Sequence, residues 1–195
     1  MIVEKISVYD GTYLRRRFAY DHFLDKTQPI GNIIAFRSPI KVDVKSLIDK
    51  DLIIKGMPLC SDDAINLCLE IPNINMFSGV CFQRLFNSGV GNMLASEFLK
   101  CDVEIDGANI IIHKECEDRG IIKTRGVASI TDVNMVDNAV LIHTGIHISA
   151  GEHALTTSYS TKLSDDQCII LMRKSIEFFY GVLHEIFVET SKKVN

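Results

Sequence analysis

The stretch Val140–Ser149 sets two imidazoles around a glycine, His143-Thr144-Gly145-Ile146-His147, inside an otherwise apolar run. Read as a strand, it places Val140, Ile142, Thr144, Ile146 and Ile148 on one face and Leu141, His143, Gly145, His147 and Ser149 on the other. The first is a core face. On the second, an imidazole titrating near neutrality suits a general base or a hydrogen-bonding contact, which casts His143 as a catalytic group and His147 as a ligand contact. Gly145 leaves space where a ligand or another backbone can approach closely. A metal site built from His143, His147 and His153 is opposed by geometry. Four strand residues span about 13 Å, whereas zinc ligands each lie within about 2.1 Å of the ion, so no metal is expected.

Cationic side chains complete the candidate set. Arg125 opens Arg125-Gly-Val-Ala-Ser-Ile-Thr131, a strand expected to pair with the His143 strand in a hairpin. A guanidinium at a strand end beside small residues suits a carboxylate or phosphate, and Ser129 in the same strand adds a hydroxyl. Arg15 and Arg37 supply further positive charge, with Asp10 orienting Arg15 or the ligand. The expectation is one pocket over the sheet that binds an anionic nucleotide- or acyl-type small molecule through Arg15, Arg37, Arg125, Ser129, Gly145 and His147. His143 and Asp10 would be the catalytic pair. The competing expectation is a non-catalytic binding or assembly module, a homodimer. There is no Gly-x-Ser-x-Gly elbow, and Gly89-Val-Gly91 lacks the third glycine or lysine of a phosphate loop. No motif names a cofactor.

The elements that must position these residues follow from periodicity and breakers. Alternation predicts a strand over residues 2–8, and Asp10-Gly11 a turn, with Thr12 capping a helix to about Leu24. Arg16 and Arg17 are then expected in solvent. A strand over 33–37 resumes at 40–44 after Pro39, which marks an edge or a bulge. Ser61-Asp62-Asp63 predicts a helix cap and a helix through about Glu70. Apolar residues at threes and fours predict a core helix over about 80–99, which Gly89 and Gly91 could kink, and a closing helix over about 164–191. Between these helices, strands over 102–105, 109–114, 126–133 and 138–149 read as an antiparallel meander. The fold class is therefore α+β, a mainly antiparallel sheet covered by helices on one side, in a single domain over residues 1–195.

Composition narrows the partners. The chain has 195 residues, 47% hydrophobic and 24% charged, with a formal net charge of −4 and both signs interspersed. Such a charge does not recruit nucleic acid, and no apolar run approaches the roughly 20 residues of a membrane span. The start carries no secretion signal and the six cysteines form no Cys-x-x-Cys pair. A cytoplasmic protein with reduced thiols is expected.

Two blocks carry a family resemblance. Tyr9-Asp-Gly-Thr-x-Leu-Arg15, Ala19-Tyr20 and Ile34-Ala-Phe-Arg37 resemble the start of the family known as domain of unknown function 366. Gln83-Arg-Leu85, Asp106, Val127-Ala-Ser-Ile-Thr131 and Leu141-Ile-His-x-Gly145 resemble its later part. The C-terminal half is similar to the biotin and lipoate ligases, which share the catalytic fold of class II aminoacyl-tRNA synthetases. The resemblance implies a biotin/lipoate-ligase-like fold and a ligase- or transferase-like pocket. It sets Arg125 where the ligases carry a lysine, and Gly145-Ile-His147 at the end of the next strand.

Overall fold

A computed structural model describes residues 1–3, 6–23, 30–47, 50–116, 122–127 and 129–193, with the backbone path alone for residues 22, 23, 51, 114–116, 122–127 and 129–132. In chain order the elements are β1 (Ile2–Val3), α1 (Phe18–Phe23), β2 (Asn32–Val42), a 3-10 turn (Val44–Ser46), α2 (Lys50–Lys55), β3 (Leu59–Pro72) and α3 (Met76–Met93). There follow a π-helical turn (Leu94–Leu99), β4 (Asp102–Asp106), β5 (Asn109–Cys116), β6 (Ile122–Val127), β7 (Ser129–Val136), β8 (Ala139–Ser149) and α4 (Asp165–Ser191). Among the described residues the main sheet runs β1-β2-β3-β8-β7, and a smaller one runs β4-β5-β6. All pairings but β1–β2 are antiparallel. No helix of the described residues is long and apolar enough to cross a membrane.

The main sheet is buried on both faces, and different elements cover each. Ile33, Ala35, Ile65, Leu67, Leu69, Val140, Ile142 and Ile146 pack against Phe82, Phe86 and Val90 of α3 and Leu171, Met172 and Phe179 of α4. The two long helices, α3 and α4, thus lie on one side, as the periodicity of both segments requires, while the short α1 packs on the reverse face. On the reverse face Ile34, Phe36, Ile40, Ala64 and Cys68 pack under Tyr9, Phe18 and Ala19 of the N-terminal segment. Helix α4 starts on a capping box, with Ser164 and Gln167 each bonding the other's backbone. Gly89 does not break α3, since a Cβ there would lie 2.3 Å from Phe178, and the glycine lets the two helices close.

Four sequence expectations change, the first being the strand over residues 2–8, of which Ile2–Val3 forms β1 and residues 6–8 form no strand. Residues 61–70 are the middle of β3, not a helix, because both faces are covered and Ala64–Glu70 are all buried. A strand buried on both sides reads as a continuous apolar run, which periodicity cannot tell from a short helix. The helix expected from Thr12 begins only at Phe18, residues 11–17 being turns and bends; its expected end at Leu24 lies outside the described residues. The expected 126–133 strand is two strands. β6 pairs with β5 in the small sheet, and β7 pairs with β8 in the main one.

Candidate functional site

β8 lies between β3 and β7, so its polar face sits in the middle of the main sheet. Its Leu141, His143, Gly145 and His147 share the reverse face with Asn66, Cys68 and Glu70 of β3. His143 is 1% exposed, and the Tyr9 ring stacks on it with centroids 3.8 Å apart and planes 13° from parallel. Its Nε2 is 2.9 Å from Asn66 Oδ1. Asn66 Nδ2 donates to the Ser38 carbonyl (3.2 Å), Ser38 Oγ (3.3 Å) and the Ala64 carbonyl (3.3 Å). Carbonyls only accept, so Oδ1 must face the ring, and His143 Nε2 carries the proton. Burial pushes this imidazole down to about 3, leaving it neutral at pH 7.

His147 is equally enclosed, and burial pushes it down to about 4. Its Nδ1 is 2.8 Å from Ser61 Oγ, which also lies 3.0 Å from the carbonyls of Asp63 and Ser149. Its Nε2 is buried with no hydrogen-bond partner among the described residues. Between the histidines, a Cβ on Gly145 would fall 2.6 Å from Ile40 Cδ1 and 3.3 Å from His143 Cε1. The group that uses the glycine's space is thus the Ile40 side chain. Ile40 and Ser61 also line an open groove of about 360 Å3 together with Lys41, Cys60, Asp62 and His153.

A strap formed by residues 11–17 crosses the other end of this face. Glu70, 7% exposed, accepts from Arg16 Nε at 2.8 Å and from the Arg17 backbone N–H at 2.9 Å. Arg16 also bonds the Asp137 carbonyl. Arg17 takes φ +58°, a left-handed conformation that costs a non-glycine residue. Beneath the strap, Tyr13, Arg15, Phe18, Asn32, Cys68 and Glu70 leave a cavity of about 20 Å3, large enough for one water.

The expected residues divide. His143, Gly145 and His147 share one face. Arg37 lies on the opposite one, in line with Ile33 and Ala35, held by Asp63 (2.6 Å) and by Asp165 at the start of α4 (2.5 Å). The two carboxylates raise its pKa and account for it as a structural group. The expectation that Arg37 and His143 meet in one pocket fails. Asp10 accepts from the backbone N–H (3.0 Å) and hydroxyl (2.6 Å) of Thr12, a turn contact, while the ion pair of Arg15 is with Asp21 at 3.1 Å. Arg125 belongs to β6, opposite His113, and Ser129 opens β7, opposite Ile146. The side chains of Arg125 and Ser129 lie outside what is described. Arg16, expected in solvent, instead clasps Glu70. Asn66, Ser61 and Glu70 escaped the sequence reading because their strand looked helical. Positions 66, 68 and 70 on one strand face were the signal available.

The mainly antiparallel sheet with its two long helices on one side is a biotin/lipoate-ligase-like fold. Two solved structures with that likeness are P. falciparum LipL1 in complex with lipoate (TM-score 0.50, 13% identity, 92% of this chain and 59% of that one) and a candidate lipoate protein ligase from T. acidophilum with bound lipoic acid (TM-score 0.51, 15% identity, 94% and 84%). The likeness spans nearly the whole chain, not only its C-terminal half. A protein of unknown function from Pyrococcus horikoshi matches at TM-score 0.81 and 17% identity over 100% of this chain and 96% of that one. The family model described as Domain of unknown function (DUF366) matches residues 1–194, and the chain belongs to that family. No curated protein matches it.

Proposed function

We propose that this chain binds an acyl- or nucleotide-type small molecule on the reverse face of the sheet, in the groove walled by Ile40 and Ser61 next to His143 and His147, and acts on it as a ligase- or transferase-like enzyme. The observation that carries this reading is a set of buried polar side chains, Ser61, Asn66, His143 and His147, gathered beside an open groove. Polar groups are costly to bury, and a concave site with a few convergent polar groups is where ligands are fixed. The ligases solved with lipoate or lipoic acid share the fold, which supports an acyl ligand. Lys41 on the groove and Arg15 at the strap are cations on this side that can meet an anionic end. His143 positions the ligand, since its Nε2 proton is committed to Asn66 and its depressed basicity makes a poor base at pH 7.

Thermal denaturation with ATP, octanoate and lipoate tests the reading. A native-state binder at a hundredfold excess over Kd adds about 2.7 kcal/mol. At about 2–4 °C per kcal/mol for a chain of this size, the melting temperature should rise by roughly 5–11 °C. If none of the three raises it, the reading fails.

A second reading, a non-catalytic module paired with a second copy, has its own support in Phe77 (79% exposed) and Phe187 (58%), large apolar side chains left on the helices. Sedimentation of a monomer would remove it.

A further inference from the structure

We propose that His147 Nε2 is a bare hydrogen-bond acceptor that receives an N–H or O–H group of the ligand. This end of the site would then select an amide, amine or hydroxyl and turn away a carboxylate or phosphate. The proposal rests on the reading of the reverse face as the binding site and makes the polarity of that site specific.

The tautomer follows from counting protons around Ser61. Its hydroxyl has a single proton, yet it lies 3.0 Å from two carbonyl oxygens and 2.8 Å from His147 Nδ1. Carbonyl oxygens cannot donate, so the hydroxyl proton serves the carbonyls and Ser61 Oγ accepts from an Nδ1–H. The opposite assignment would send the only proton to the ring and leave two oxygens facing Oγ with none between. With Nδ1 protonated, the neutral ring presents a lone pair at Nε2. That atom is the one buried side-chain nitrogen or oxygen without a partner among the described residues. Buried polar atoms are nearly always paired, and an exception marks a missing water, ion or ligand group. A doubly protonated ring would bury a charge, and no described carboxylate pairs with it. Ser61, which holds the ring, and Ile40, which overlies Gly145, are both walls of the groove of about 360 Å3, so a ligand seated there lies against residues that enclose the imidazole.

The complementarity is directional. An acceptor-only group meets lone pair against lone pair at Nε2, so an anionic part of the ligand must lie at the groove, near Lys41, and not against His147.

Long-range 15N–1H spectra of the 15N-histidine-labelled chain, assigned through the backbone of the unsubstituted protein, read the tautomer directly. The expected result at pH 7 is His147 protonated at Nδ1 and bare at Nε2. Hexanamide and hexanoate, equal in length, are then titrated in. Hexanamide should shift the Nε2 resonance and hexanoate should not. His147→Asn keeps a donor for Ser61 but removes Nε2, and should weaken hexanamide binding roughly tenfold. An Nε2–H tautomer in the free protein overturns the proposal whatever binds. So does an Nε2 that ignores both compounds or prefers hexanoate. If a compound that raises the melting temperature leaves Nε2 unmoved, this proposal fails while the location of the site stands.

Discussion

Replacing Gly145 by alanine isolates the packing that closes the reverse face. The added methyl carbon would sit 2.6 Å from Ile40 Cδ1 and 3.3 Å from His143 Cε1. His143 is fixed by Asn66 and Tyr9, so the strain falls on Ile40, which is itself fully buried and must move its Cδ1 end aside. Overpacking of this kind costs about 1–3 kcal/mol. For a chain of this size that is a fall in melting temperature of roughly 2–12 °C. Ile40→Val removes the clashing Cδ1 and by itself should cost about 0.5–1.5 kcal/mol. In the double variant the freed volume accepts the new methyl, so the combined loss should fall short of the sum by about 1–2 kcal/mol, within the usual range for contacting residues. Urea unfolding of the four proteins, extrapolated to water, measures the cycle. Additive losses, or a Gly145→Ala variant as stable as the parent, would refute the argument that Ile40 is what the glycine accommodates.

The remaining predictions concern the strap, pH and the faces of the sheet. Glu70→Ala should cost about 1.5–3 kcal/mol, the range for hydrogen bonds to a charged group, and should speed proteolysis within residues 11–17; an unchanged cleavage rate counts against the strap being held there. Both buried imidazoles lie below their ordinary pKa, His143 at about 3 and His147 at about 4. The unfolded chain therefore takes up protons below about pH 6.5 that the folded chain refuses, so stability is full above that pH and is lost as pH falls towards 4. The slope should reach about 1.4 kcal/mol per pH unit for each ring, and His147→Asn should remove one ring's share, as unfolding free energies between pH 4 and 7 will show. Arg37→Ala should leave any ligand-induced rise in melting temperature unchanged, because its contacts are with Asp63 and Asp165 on the helix side; loss of that rise would place Arg37 at the ligand after all.

What could be read from the sequence depended on how each segment is buried. β8 alternates cleanly enough that its core face and its His143–Gly145–His147 face are both legible, and α4 is legible through its long helical period. β3 was not legible as a strand, because the helix layer and the N-terminal segment bury both its faces, and Asp62-Asp63 mimic a helix cap. With β3 misread, Asn66, Ser61 and Glu70 could not be placed beside the histidines. Arg125 and Ser129 were read as one strand because neither Gly126 nor Val127 announces that the chain passes from the small sheet to the main one. Arg37 is the clearest case of a residue type suggesting a role that position denies. A guanidinium fits an anionic ligand well, but strand parity puts this one on the side of α4.

Hydrogen–deuterium exchange, with and without a compound that raises the melting temperature, locates the ligand on the chain. The account predicts slower exchange in residues 9–17 and in the groove segments 40–43 and 58–62, all bordering the His143–His147 face. Protection confined instead to the cleft of about 550 Å3 beside Phe98, Leu99 and Ser158–Leu163 would place the ligand elsewhere and contradict it.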